Sequence, residues 1–258
     1  MKNIFLKWFE NFWIINQLQP TCSVCGQSNI TFLPLPNFYR EEAAKYGYKR
    51  FGKGETIALD TYSCSACGAS DRERLYALWI DRQVQGGIFR KGTKLLHFAP
   101  EPALSKNLRE LNLFEYKTAD YGMAGVDYKV DIMNIPLANE GVDFFICSHV
   151  LEHVQSDDKA IQELYRITKT GGCGILMAPI SMGLDRTLED PLMTTEAERW
   201  RHFGQYDHVR LYAHNDYVEK IKAHGFEVEE LRIRDFGKKI FMQLGLTKTS
   251  TLYVVRKP

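Results

Sequence analysis

Two short knuckles, Cys22-Ser-Val-Cys25-Gly26 and Cys64-Ser-Ala-Cys67-Gly68, constrain this chain more than any other feature. A tight turn presents two thiolates to one ion, and the glycine after it lets the backbone bend so that amides face the sulfurs. Two such turns supply a tetrahedral four-thiolate site, so the spacing predicts structural zinc on Cys22, Cys25, Cys64 and Cys67. The 38 residues between the knuckles leave room for a ribbon or small β-insert. Disulfides are the competing arrangement, but adjacent-turn bridges would be strained and nothing else points to an oxidising compartment. A reducing cytoplasm suits thiolate ligands. Cys147 and Cys173 lie in apolar or Gly-rich stretches and read as small buried residues.

The chain has 258 residues, enough for one large domain or a medium domain with an appendage. A formal net charge of +1 gives no electrostatic case for nucleic acid or an anionic membrane. Ile4, Phe5, Trp8, Phe9, Phe12 and Ile15 repeat at helical spacing, predicting an amphipathic N-terminal helix over residues 1–19. Charged and polar residues interrupt it, so it is neither a signal peptide nor a membrane span. Its apolar face would pack on the protein or a homodimer mate, or make peripheral membrane contact. The metal-binding module follows over residues 20–75, and the helix Asp71 to Val84 leads into the main domain, residues 76–258.

From Lys94 onward, short apolar runs alternate with amphipathic helices. Strands are expected at Leu95–Phe98, Tyr116–Ala119, Tyr128–Val130, Val142–Cys147, Gly174–Met177, Phe226–Leu231 and Leu252–Val255. Helices are expected at Pro102–Leu111, Asp157–Thr168 and Ala213–His224. This order means an α/β fold with a mainly parallel sheet, whose ligands bind at the strands' carboxyl ends.

The first such end, His97-Phe98-Ala99-Pro100-Glu101-Pro102-Ala103, opens directly into a helix. Small residues there let backbone approach a ligand, and Pro102 suits a first helical turn. Glu101 suits a cationic ligand. The second strand ends at Asp120, placed to accept ribose hydroxyls, although one Asp after a strand also serves as a cap. Asp131 could accept an adenine amino hydrogen while the Ile132 amide donates to the ring.

These segments, with Cys147-Ser148-His149-Val150-Leu151-Glu152-His153-Val154 and the run Glu163 to Gly172, resemble class I S-adenosylmethionine-dependent methyltransferases. The resemblance runs from about Lys94 to the C-terminus. It implies a Rossmann-like seven-stranded sheet with an antiparallel last strand, and S-adenosylmethionine as cofactor. Carried onto this chain, it implies cofactor contacts from His97, Phe98, Ala99, Glu101, Asp120, Asp131, Ile132 and Ser148. The first motif departs from the family pattern: His97 stands for the usual acid, and Ala99, Glu101 and Ala103 for the glycines. That variant resembles a subset carrying a four-cysteine module in front.

For acceptor chemistry, His149 follows the fourth strand, and a helical His149-x-x-Glu152-His153 would bring three ligands to one ion. Ubiquinone-pathway O-methyltransferases resemble this segment and bind a divalent metal there, so a second metal site is expected at His149, Glu152 and His153. Alternatively, the segment is a structural turn. The insertion from Ser181 to Tyr212 overhangs the strand ends and carries Asp207-His208-Val209-Arg210-Leu211-Tyr212. In that run His208 could act as base with Asp207 orienting it, and Arg210 could clamp an anion. The candidate catalytic set is therefore His149, His153, Asp207 and His208.

The function expected is cytoplasmic O-methylation of a small molecule or glycan. A ribosomal or transfer RNA methyltransferase using the zinc module to bind RNA is the rival enzyme, and a non-catalytic cofactor-binding or scaffold protein is the third reading. The neutral charge and the absence of an Asn-Pro-Pro-Tyr-type motif after the fourth strand weigh against RNA.

Overall fold

The computed structural model of the protein describes residues 19–258. The expected N-terminal helix lies outside the described residues. The element order is β1 (Phe32–Leu33), α1 (Asn37–Tyr46), β2 (Ser63–Cys64), α2 (Asp71–Gln85), β3 (Thr93–Phe98), α3 (Pro102–Glu110), β4 (Phe114–Asp120), β5 (Tyr128–Lys129) and β6 (Val142–Ser148). There follow α4 (Asp157–Ile167), β7 (Thr168–Met177), β8 (Leu188–Glu189), α5 (Glu196–Phe203), β9 (Arg210–Leu211), α6 (His214–Ala223), β10 (Glu227–Leu231), α7 (Ile233–Phe236), α8 (Lys238–Gln243) and β11 (Leu252–Arg256).

Seven strands form one sheet in the order β10-β11-β7-β6-β3-β4-β5, with β11 antiparallel to both neighbours. This is the Rossmann-like methyltransferase sheet expected from the sequence. Its centre is β6, where Phe144, Phe145, Ile146 and Cys147 are fully buried because helices cover both faces. At Gly174 on β7 an added Cβ would lie 2.2 Å from the Phe145 ring, so only glycine lets that aromatic lie flat on the neighbouring strand. The strand β7 starts earlier than expected, at Thr168, because a register shift between Val142 and Phe144 absorbs the Gly171-Gly172 turn into the ladder.

A small two-stranded unit, β1 against β2, carries the knuckles. It is joined to the sheet by α2, which begins at a capping box between Ser70 and Glu73. Arg74 on α2 is fully buried, and its guanidinium donates to the carbonyls of Leu244, Tyr62, Ala69 and Thr61. One side chain thus satisfies four carbonyls of three segments, and Cys22, Cys64 and the sheet residues share one continuous core. Position 75, expected as a domain boundary, falls inside α2.

The insertion after β7 is structured: β8 pairs with β9, and α5 is capped by a Thr195–Glu198 box. The helix α5 packs on α1 through Trp200, whose ring stacks on Tyr46 at 6.0 Å and meets Phe38 edge-on at 6.2 Å. The module and the insertion therefore meet above the carboxyl ends of the central strands. Among the described residues no helix is long and apolar enough to cross a membrane.

Candidate active site

At the end of β3 the chain makes a turn in which Ala99 takes a left-handed backbone, φ 45°. A glycine would adopt that conformation without penalty, and alanine is the next smallest choice. His97 is fully buried, with Nδ1 2.9 Å from the Tyr116 hydroxyl and Nε2 2.9 Å from Glu101 Oε2. Both ring nitrogens are taken, and Phe98 is buried too, so neither side chain faces a ligand. What these two positions offer a cofactor is backbone.

Glu101 also stands 3.7 Å from Arg72 Nε. Burial would push its carboxyl up, but the hydrogen bond and charge of His97 and the charge of Arg72 hold it down at about 2. The carboxylate expected to meet a cationic ligand is thus ionised, but already engaged by His97. On β4, Asp120 Oδ1 accepts from the amides of Gly122 at 2.7 Å and Met123 at 2.6 Å. Its Oδ2 accepts no bond among the described residues. Asp131 Oδ1 accepts from the Met133 amide, Ile132 is buried, and the Ser148 hydroxyl lies 3.0 Å from the Tyr76 hydroxyl. The ends of β3, β4, β5 and β6 lie side by side in the sheet, so these segments flank one crevice. A left-handed Ala99 for close backbone approach and a free Asp120 oxygen fit a nucleoside-type cofactor, while the first turn of α3 is partly taken, its Leu104 amide donating to Glu73 Oε1 at 3.3 Å.

Beside that crevice is a cavity of about 340 Å³. Its walls come from the end of β6 (His149), the end of β7 (Ala178 to Ser181), the insertion (Phe203 to His208) and the module (Tyr39, Tyr48, Arg50). Arg72 lines it as well and reaches Glu101 on the other side, joining the two halves. Tyr48 lies against Gly204, where an added Cβ would come within 2.8 Å of its ring. The sequence reading missed Tyr39, Tyr48, Arg50 and Arg72. The aromatic richness of residues 32–51 was the available signal, but it read equally well as the core of a small module.

His149 to His153 form a turn, not the helix expected, and His149 has a left-handed φ of 54°. His149 Nδ1 nevertheless stands 3.1 Å from Glu152 Oε1. The Glu152 carboxylate is fully buried; Oε2 has no hydrogen-bond partner among the described residues, and Oε1 has only that poorly aligned imidazole. His208 completes the cluster from the insertion, in place of His149: the groups close enough to share an ion are Glu152, His153 and His208. Asp207 pairs with His153, Nδ1 to Oδ2 3.2 Å, and so does not orient His208 as expected. Burial pushes His208 down to about 4, which leaves it neutral.

Arg210 is no anion clamp. It is fully buried, donates to the carbonyls of Leu151, Val154 and Gln155, and pairs with Glu189 at 2.5 Å. Tyr212 donates to Asp157 Oδ2. Both hold the 151–157 turn against the insertion.

In the module, the Sγ atoms of Cys22, Cys25, Cys64 and Cys67 all lie within 4.8 Å of one another, with Cys22 and Cys67 3.7 Å apart. Bonds of about 2.3 Å to a tetrahedral zinc separate sulfurs by about 3.8 Å, so the donors fit that ion. Gly26 and Gly68 both have left-handed backbones, φ 70° and 79°, and their amides donate back to the carbonyls of Cys22 and Cys64, the same turn twice. The cysteines form no disulfide.

Residues 101–176 match the family model described as a methyltransferase domain. Among solved structures, the [4+2]-cyclase SpnF aligns at 14% identity and a TM-score of 0.52, covering 88% of this chain and 99% of its own. A phosphoethanolamine N-methyltransferase from Haemonchus contortus aligns at 12% identity and a TM-score of 0.49 over 71% of this chain and 53% of its own. No curated protein matches the chain in sequence. The match to a methyltransferase domain is thus confined to residues 101–176, and the structural likeness is one of fold.

Proposed function

We propose that the protein methylates a hydroxyl of a small molecule or glycan, held in the cavity roofed by the four-cysteine module. The observation that carries this is the cavity itself. It is lined by aromatic, imidazole and guanidinium groups, adjoins Glu101 through Arg72, and measures about 340 Å³, the volume of a small ligand. A duplex or structured RNA would need an open basic groove instead.

S-adenosylmethionine supplies an electrophilic methyl group when bound. Asp120 would take the ribose through its free oxygen, and the Asp131–Ile132 segment the adenine edge. Glu101, fixed by His97 and Arg72, sets the charge at the methionine end. The acceptor is oriented by the cavity walls, which is the larger part of the catalysis in an in-line transfer. His149, at the wall and next to Glu152, takes the acceptor's proton. Zinc on the four cysteines keeps the module, and therefore the roof, folded. Such thiolates belong in a reducing compartment, the cytoplasm.

The test is incubation of extract with methyl-labelled cofactor and the purified protein, followed by identification of the labelled product. A labelled ether or ester of low mass, or a labelled glycan, is expected. Label entering only RNA or protein would overturn the acceptor assignment, and no binding of cofactor by calorimetry would overturn the whole reading.

A further inference from the structure

The histidines of the insertion and of the turn after β6 are arranged as ligands. His153 Nε2 and His208 Nε2 stand 3.9 and 4.0 Å from the same atom, Glu152 Oε1. Each ring is fixed from behind. His208 Nδ1 bonds to the Phe203 carbonyl at 3.2 Å, and His153 Nδ1 faces Asp207 Oδ2 at 3.2 Å. A ring whose Nδ1–H is donated in this way keeps its Nε2 lone pair free, so both lone pairs converge on one carboxylate. Backing by a carbonyl or carboxylate is how metal-binding imidazoles are held.

The burial makes this costly without an ion. Glu152 is fully buried and His208 is 3% exposed, yet Glu152 Oε2 and His208 Nε2 lack hydrogen-bond partners among the described residues, and Oε1 has only the poorly aligned His149 imidazole at 3.1 Å. Buried polar atoms are ordinarily paired, and a carboxylate oxygen and an imidazole nitrogen left bare beside each other are explained together by a shared partner. A cation within reach of both is such a partner. Bonds of about 2.1 Å to a tetrahedral ion place ligands about 3.4 Å apart. The two imidazoles stand 3.9 and 4.0 Å from Glu152 Oε1 and all three donors lie within 4.8 Å of one another, so a small inward shift of the rings closes the site.

We propose that Glu152, His153 and His208 bind a divalent first-row transition-metal ion, with zinc the best match to two imidazoles and one carboxylate. All three residues line the cavity, so the ion's remaining position opens towards the acceptor. Resting on the function proposed above, this names the acceptor's anchor: an oxygen donor such as a hydroxyl or a vicinal diol. In the transfer, the acceptor O–H proton passes to His149. A C–O bond forms to the methyl carbon as the C–S bond breaks, and its electron pair stays on sulfur as a neutral thioether.

The experiment is metal analysis of the full chain after dialysis against Zn²⁺, and titration with Co²⁺ followed by absorbance. Cobalt on four thiolates shows intense sulfur charge-transfer bands, and cobalt on imidazole and carboxylate shows only weak visible bands, so the two sites are read separately. Two ions per chain are expected for the wild type, with His208→Ala and Glu152→Gln each losing the weakly absorbing one and keeping the thiolate-bound one. Asp207→Asn, which removes only the charge behind His153, should weaken that site about 10- to 100-fold. Retained thiolate bands in these variants show that the module remains folded. Equal metal content in the wild type and in all three variants would overturn the site. Cofactor binding and turnover in a protein shown to hold no second ion would end this inference alone. A second ion in a protein that binds no cofactor would end the methyl-transfer reading instead.

Discussion

His97 Nε2 lies 2.9 Å from Glu101 Oε2, one residue in the last turn of a strand and the other at the cap of the helix that follows. Glu101 thus carries its carboxylate between two basic groups, His97 and Arg72. His97, Arg72, Glu73, Tyr76, Tyr116 and Cys147 are the charged or titratable groups around that carboxylate. Its folded value of about 2 lies below the ordinary 4.5, so its contribution is complete above about pH 4.5 and is lost as pH falls towards 2. Glu101→Gln should remove roughly 1–3 kcal/mol at neutral pH and flatten the fall in stability between those limits. Urea denaturation at a series of pH values reads both. Parallel curves for wild type and variant would refute the assignment.

Asp120→Ala should weaken S-adenosylmethionine binding by about 1–3 kcal/mol, the cost of a lost hydrogen bond to a charged group. Loss of the Asx turn to Gly122 and Met123 is a second effect of the same change, so Asp120→Asn is the informative partner. It keeps the Oδ1 acceptor and removes the charge. Calorimetry on both variants separates them, and unchanged affinity in both would show that the ribose lies elsewhere.

Gly204→Ala should damage acceptor use and spare the cofactor. Gly204 has φ 86°, and the new methyl group would press on Tyr48. A displaced cavity wall should lower kcat/KM by between about 10- and 100-fold, while the Kd of S-adenosylmethionine stays as it was. Turnover unchanged on the true acceptor would mean that Tyr48 is not part of its site.

Arg210→Ala should destabilise the fold by about 3–5 kcal/mol, because it leaves three carbonyls and a carboxylate without their buried partner. Thermal or chemical unfolding measures this directly. A stable variant with weakened substrate binding would return Arg210 to the role of anion clamp.

Cys25→Ser should remove one zinc per chain and unfold the module, since ion binding and folding are coupled in so small a unit. Metal analysis with limited proteolysis of residues 20–70 follows both. A variant that keeps its full zinc content would sink the four-thiolate site.

The sheet was legible because its strands are buried on both faces and appear as unbroken apolar runs, Val142 to Cys147 above all. The knuckles were legible because the two cysteines of each lie within a few residues of each other, and the fold brings all four together. What the sequence concealed was encounter at long range. Glu152 and His208 are far apart along the chain, and nothing local marks the turn that brings them to 4.0 Å. Local reasoning joined His208 to its neighbour Asp207, whereas the fold gives Asp207 to His153. Arg210 looked available because it is charged, and only the carbonyls gathered around it show otherwise. The helix α5 escaped notice although its capping box, Thr195 to Glu198, was present in the sequence.

The cavity takes its outer walls from the module and the insertion and its floor from the ends of β6 and β7, while the crevice beside it is made by the sheet alone. On the function proposed above, substitutions at Tyr39, Tyr48 or Phe203 should therefore reshape the acceptor cavity without disturbing the sheet residues assigned to the cofactor. A lineage carrying this architecture could diversify its products by drift in two surface segments, and comparison of such chains should show variation concentrated there against a quiet sheet.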